Sequence, residues 1–258
     1  MTAKTLIYDG SFEGFLSCVF YVFEYKIEKV KIQNEFVVQN SLFSENQTVI
    51  THKEKADRVW KGLKNKASKN SCTKIYYAFL SEQENVENTL LDYISYIFKS
   101  TTKVDTDFSY SSALKISQIA KKVSREKHRM EAFVRFRLTK DQIYFANISP
   151  DFNVLPLIAK HFKRRYADQK WVIYDIARHY GLFYNLKTVE IIHINFPSNF
   201  DFSKTNENYF ADEEFDFQKL WQHYFKSTNI TERKNIKLHV KHVPKRYWKY
   251  LSEKQPDF

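Results

Sequence analysis

The stretch "EKHRMEAFVRFR", Glu126 to Arg137, stands where a long helical pattern gives way to one of period two. Upstream, Leu114, Ile116, Ile119, Ala120 and Val123 recur at helical spacing from Ser112 onward. Downstream, Ala132, Val134, Phe136 and Leu138 alternate with Phe133, Arg135 and Arg137, the pattern of a strand buried on the first set. On this reading two guanidinium groups and one ring stand side by side on an exposed sheet face. Such a face can pair phosphates bidentately and stack bases. The alternative is that a helix covers it and the arginine stems pack beneath. "RMEAFVRF" also partly matches the strand signature of RNA-recognition motifs, through Arg129, Ala132, Phe133, Val134 and Phe136. Met130 and Glu131 replace the glycine and aromatic of that signature, and a helix precedes it, so that fold is not expected.

C-terminal to this stretch, Lys140-Asp141 can turn the chain into "QIYFANI" to form a hairpin, and "KWVIYDI", "GLFYN" and "TVEIIHINF" read as further strands. Between them lies "NVLPLIAKHFKRRYADQKW". Pro156 is tolerated only in a first helical turn, which places the helix start near Asn153 as cap. Leu155, Ile158, Ala159, Phe162 and Tyr166 then share one face, and Lys160, Lys163 and Arg164 the opposite one. Asp168 follows Arg164 and Arg165 at helical spacing and can pair with either.

N-terminal to it, "TLIY" reads as a strand, Asp9-Gly10 as a turn, Ser11 as a cap and residues 12 to 25 as a largely buried helix. "EFVVQ" and "TVIT" are strand-like. Helices are expected over "KEKADRVWKGLKNK", around "TKIYYAFL" and from Glu84 to Lys99. The polar "STTKVDTDFSYSS" marks a candidate boundary between a mostly helical part, residues 1–110, and a basic part, residues 111–258, unless both form one continuous domain. The acidic, Asn-rich "DFSKTNENYFADEEFDF" reads as a long loop ahead of a basic helical tail. The expected fold class is α+β, with an antiparallel sheet flanked by helices and a helical N-terminal third.

With 258 residues, 43% hydrophobic and 17% aromatic, the chain can bury a large core, and disorder is a poor explanation of it. Cys18 and Cys72 are far apart and lack metal-ligand spacing, so cysteine alone builds neither a disulfide framework nor a metal motif. A reducing cytoplasm fits this usage. The start, "MTAKTLIYDG", lacks the pattern of an export signal, and the longest apolar run, Phe15 to Phe23, is too short to span a bilayer, so no membrane association is expected. The net charge of +11 is concentrated. Lys115 to Arg178 holds 15 Lys and Arg against 6 Asp and Glu, and Leu220 to Phe258 holds 9 against 3. Such a distribution favours an anionic partner, nucleic acid foremost, over an acidic membrane or protein surface, although solubility charge alone can produce it.

Arg129, Arg135, Arg137, Lys160, Lys163, Arg164, Arg165 and Arg178 are the phosphate-contact candidates of the basic block, with Phe133 or Trp171 available for stacking. In the tail "KLHVKHVPKRYWKYL", Lys245 and Arg246 lie among Tyr247, Trp248 and Tyr250, a composition that suits a nucleic-acid strand. Docking of the tail on its own domain is favoured, because Trp248 and Leu251 need cover. His239 and His242, three apart without a nearby carboxylate, do not make a metal site. "YDGSFEGF" resembles an anion cradle, but Asp9 and Glu13 would repel phosphate, which leaves a structural turn. No glycine-rich phosphate loop, nucleophile elbow or zinc helix occurs. His128, Glu131, Asp151, His161 and Asp175 remain as acid–base candidates that could equally cap, pair or pack.

"YDGSFEGFLSCVF", "REKHRMEAFVRF", "ISPDFNVLPLIAKHFKRRYADQKWVIYD", "ARHYGLFYN", "LWQHYFKSTNITERKN" and "VPKRYW" together resemble a bacterial family known as "probable DNA metabolism protein", a domain of unknown function. The block from Arg125 to Asn185 carries the most specific part of the likeness. The resemblance implies a cytoplasmic bacterial protein, encoded beside a DNA-modification or repair protein of the radical S-adenosylmethionine (SAM) class. Longer members carry a uracil-DNA glycosylase-like domain, and their chemistry does not transfer to residues here. Two cysteines cannot hold a radical-SAM cluster, so a partner would supply that chemistry and no cofactor is expected in this chain. The resulting expectation is an accessory protein of DNA metabolism or repair that binds DNA through a basic face and acts with a radical SAM partner. A DNA-acting enzyme, or a protein-interaction scaffold without nucleic-acid binding, are the other two readings.

Overall fold

The computed structural model describes residues 4–37, 45–197, 200–228 and 235–254. The chain divides into two compact units, Met1–Ser124 and Arg125–Phe258. The polar stretch at 100–112 belongs to the first.

The first unit is a three-stranded parallel sheet with helices. Strand β1 (Lys4–Tyr8) lies between β2 (Val30–Asn34) and β3 (Glu45–Thr48) and pairs parallel with both. Helix α1 (Phe12–Glu24) connects β1 to β2, the crossover that a parallel pair requires. Its start is fixed locally, since Ser11 Oγ accepts from the Gly14 N–H at 2.9 Å as a side-chain cap. Asp9 accepts from Ser11 and from Thr51 Oγ1, so this corner is the structural turn expected of it. A Cβ on Gly14 would sit 2.2 Å from Asp9 Oδ1, which only glycine avoids. Helices α2 (Lys53–Lys66), α3 (Lys69–Phe79) and α4 (Val86–Lys99) follow as their apolar periodicity requires. Leu6, Phe15, Val19, Leu63, Ile75 and Leu90 form the centre of the core. Cys18 and Cys72 are unpaired and buried. The expected strand "EFVVQ" is corrected: Glu35–Val37 is a 3-10 turn and the strand lies just before it, while Val38 and Gln39 are outside the described residues.

Helix α5 (Ser111–Phe133) contains the division between the units. Its length corrects the reading of the quoted stretch. Val123, Glu126 and Met130 are all buried at helical spacing, and the Val134 N–H still donates to the Met130 carbonyl. The four alternating apolar residues, Ala132, Val134, Phe136 and Leu138, did not outweigh that helical row. The strand β4 is confined to Arg137–Leu138, so no strand face carries Phe133, Arg135 and Arg137 together.

The second unit is a five-stranded sheet in the order β4-β5-β6-β7-β8, with β5 (Tyr144–Ile148), β6 (Trp171–Asp175), β7 (Tyr180–Tyr184) and β8 (Val189–Ile192). The β4-β5 and β6-β7-β8 pairings are antiparallel, as hairpins dictate. β5 and β6 are parallel, because α6 (Leu155–Arg165) intervenes between them as a crossover. The purely antiparallel sheet is thereby corrected: the fold mixes α and β elements, helices flank the sheets, and both sheets contain parallel strands. All five residues of β6 are buried, as befits a central strand. Helix α7 (Asp212–Thr228) begins inside the stretch expected to be a loop, and α8 (Ile236–His242) precedes a 3-10 segment over Lys245–Tyr250. The tail packs inward at Tyr247, 2% exposed, and Leu251, 1% exposed. Among the described residues no helix is long and apolar enough to cross a membrane.

Candidate nucleic-acid interface

Helix α6 presents the clearest cationic surface of the second unit. Pro156 lies in its first turn, as its missing N–H requires. The residue before the helix is Val154, which has no side-chain cap. Asn153 instead accepts from the Tyr180 hydroxyl, which corrects the expected cap. Leu155, Ile158 and Phe162 bury the inner face. Lys160 and Arg164, one turn apart, are exposed, and neither has an ion pair among the described residues. Three cations in the last turn, Lys163, Arg164 and Arg165, also complement the helix dipole. Lys163 is tied down, its Nζ donating to the Lys187 carbonyl at 2.6 Å and lying 5.7 Å from the Tyr184 ring centre. Arg165 is exposed and lies 5.8 Å from the Tyr166 ring centre. Asp168 is exposed and, among the described residues, pairs with neither Arg164 nor Arg165.

Arg129, Arg135, Arg137, Arg178 and Arg246 have internal partners. Glu126, 1% exposed, is the hub of one network: it accepts from the Tyr247 hydroxyl at 2.5 Å, from Arg246 at 3.0 Å and from the Asp151 N–H at 3.0 Å. Arg129 lies 3.5 Å from the same carboxylate. Arg246 also reaches the Asp151 carboxylate at 2.7 Å and donates to the Tyr247 oxygen. Burial, together with the hydrogen bond to Glu126, pushes the Tyr247 phenol above its ordinary value. Phe133 rests 5.5 Å from the Tyr247 ring, centre to centre. Arg178 donates to Asp175 at 2.9 Å and to the carbonyls of Pro150 and Asp151. Burial raises the Asp175 carboxyl, and Arg178 offsets only part of that rise.

Arg135 makes two bonds to Glu253, at 3.2 and 2.7 Å, and further bonds to the Ala132 and Val134 carbonyls. Burial alone would raise the Glu253 carboxyl, but the Arg135 bonds and charge outweigh it and hold it below its ordinary value. Arg137 donates to the carbonyls of Lys204 and Phe202 and to Asn147 Oδ1, with its guanidinium 4.6 Å from the Phe210 ring centre. Burial pushes it down to about 10, against the opposing pull of Glu214 and Asp201. Trp171 is wholly buried, so it cannot stack on a base and that role is corrected. Lys245 is exposed.

The acid–base candidates do not assemble into one centre. His128 is exposed and lies 3.9 Å from Glu131. Glu131 binds Lys127 at 2.6 Å and lies 3.9 Å from His161. Asp151 and Asp175 belong to arginine pairs. Sequence reasoning missed Glu126, Tyr247, Asn147 and Glu253. A polar residue within the apolar "YFANI" was a signal for Asn147, and the helical row of α5 was one for Glu126. Nothing local marked Glu253.

The fold and the cationic helix define a mixed α/β protein with a basic second unit. The chain belongs to the family described as a domain of unknown function, DUF4130, whose model matches residues 84–253. No curated protein matches it. Among solved structures, the pGpG-specific phosphodiesterase PggH from Vibrio cholrae is similar over 70% of this chain and 80% of that one, at 8% identity and a TM-score of 0.32. Likeness at that level carries no conclusion about fold or function.

Proposed function

We propose that the protein binds nucleic acid through the outer face of α6 and serves as an accessory to a partner enzyme in DNA metabolism or repair, one of the radical SAM class to which the family resemblance points. The observation that carries this reading is the pair Lys160 and Arg164, exposed and without ion pairs among the described residues, on a helix whose opposite face is anchored in the core. Arg165, at the same helix end, adds a third exposed cation. The contact made this way is with phosphates and reads charge rather than base sequence. Ring stacking has little part in it, since Trp171 is buried and Phe133 rests on Tyr247. A dye-labelled oligonucleotide should associate at low ionic strength and dissociate steeply as salt rises. Absence of any salt-sensitive association would overturn the reading.

A second reading, protein docking, has its own observation. Phe217, Leu220, Trp221 and Tyr224 are exposed at successive turns of α7. A partner enzyme seated there fits the accessory role. Co-purification with the neighbouring radical SAM protein, abolished by Leu220→Glu while oligonucleotide binding persists, is the expected result.

A further inference from the structure

A cavity of about 30 Å³ lies beside β4 in the second unit. Its lining includes Arg135, Arg137, Asn147, Ser203, Thr205 and Lys249. Asn147 sits within β5 and is 7% exposed. Its Oδ1 accepts from Arg137, which fixes the amide orientation, because the flipped amide would set N–H against N–H. Its Nδ2 is then left buried with no hydrogen-bond acceptor among the described residues. A buried amide in that state is destabilising unless something fills the place.

Arg137 has the same lack in a charged form. Among the described residues its three acceptors are two carbonyls and one amide oxygen, all neutral, and of the five N–H groups of a guanidinium at least one on Nη1 and the one on Nε have no acceptor there. Among the described residues no carboxylate forms an ion pair with it. Glu214 is engaged by the Leu138 N–H and the Gln218 amide, each at 2.8 Å, and Asp201 by the Ser203 N–H and hydroxyl. Arg135 on the same wall has Glu253; Arg137 has no counterpart to it. A half-buried cation without an ion pair is incompletely compensated for its lost hydration.

Lys249 adds a second charge to the lining, its ammonium 4.8 Å from the Tyr250 ring centre. A guanidinium, an amide and an ammonium-bearing residue therefore border one cavity, a set suited to an oxyanion with more than two oxygens. The cavity, with room for about two water molecules, admits oxygens of such a head group but no nucleoside.

We propose that the cavity between Arg137, Asn147 and Lys249 is a binding site for a phosphoryl oxyanion, either inorganic phosphate or the terminal phosphate of a nucleic-acid strand. The second source rests on the nucleic-acid reading above; the first does not. Asn147→Asp places a carboxylate against Arg137 and supplies the missing anion from within the chain.

The test is thermal unfolding of the full chain in sodium phosphate and in sodium chloride of equal ionic strength. Phosphate should raise the wild-type Tm in a saturating manner that chloride does not reproduce, and Asn147→Asp should lose that difference. General stabilisation by phosphate as a co-solvent would act on both proteins equally. Lys249→Ala, at the less buried side of the cavity, should keep the Tm in chloride and need several-fold more phosphate for the same rise. Equal behaviour in the two salts, or an undiminished phosphate effect in both variants, overturns the proposal and leaves the cavity to water. Isothermal titration then separates the sources. If the ligand is a strand end, a 5′-phosphorylated oligonucleotide binds at least tenfold tighter than its 5′-hydroxyl twin, and Asn147→Asp abolishes the ratio. A ratio of one beside intact phosphate protection assigns the site to free phosphate. Failure of Lys160→Glu/Arg164→Glu to weaken either oligonucleotide would count against the α6 interface alone and leave this site standing.

Discussion

Arg135, Arg178 and Arg246 on the one hand, and Lys160 and Arg164 on the other, come from the same basic part of the chain, yet the fold uses them in opposite ways. The first three reach carboxylates at 2.7 to 2.9 Å. The latter two stand on an exposed helix face with no ion pair among the described residues. Cationic composition thus divides into charge that holds the unit together and charge left exposed on its surface. Only the second kind can release counterions from a nucleic acid.

The comparison can be broken most forcefully at Glu126. Glu126→Ala removes the shared acceptor of Tyr247, Arg246 and the Asp151 N–H, leaving the buried Tyr247 hydroxyl without its carboxylate and a cavity beneath it. Unfolding by urea should show a loss of about 3 kcal/mol. A loss below about 1 kcal/mol would mean that the network is incidental.

Glu253→Gln should have a smaller effect, about 1.5–3 kcal/mol, the usual worth of hydrogen bonds to a charged group. The pH dependence gives its signature. The folded Glu253 carboxyl lies below its ordinary value of 4.5, so the unfolded state binds the proton first as pH falls. Its contribution is complete well above 4.5 and disappears as pH drops through that value toward the folded one. Wild-type stability should therefore decline in that window, and Glu253→Gln should decline less. Parallel pH profiles for the two proteins would remove the Arg135 pairing from the account.

At the small end, Lys160→Glu/Arg164→Glu should change stability by no more than about 1 kcal/mol, because neither side chain has an ion pair to lose among the described residues and only the dipole complement of Arg164 is reversed. A large destabilisation would show that the α6 face is structural after all.

What the sequence revealed follows the range of the interactions. The Ser11 cap, Pro156 in a first turn, the buried back of α6 and the β4-β5 hairpin are set by neighbours within a few residues, and periodicity exposes them. The parallel β5-β6 pairing was missed because a strand's own pattern does not name its distant partner. The fate of the arginines was hidden for the same reason. Glu253 lies 118 residues from Arg135, and Arg246 lies 120 from Glu126. Alternation around Phe133 and Arg135 suggested an exposed strand face, but Met130, buried on the helical row of α5, carried the helix through it.

The most direct test of the central claim is the salt dependence of oligonucleotide binding by wild type and by Lys160→Glu/Arg164→Glu. The logarithm of affinity should fall linearly with the logarithm of salt for both proteins, and the variant should bind more weakly with a slope reduced by roughly 2, about 1 for each phosphate no longer neutralised. Coincident lines would contradict the assignment of the interface to α6.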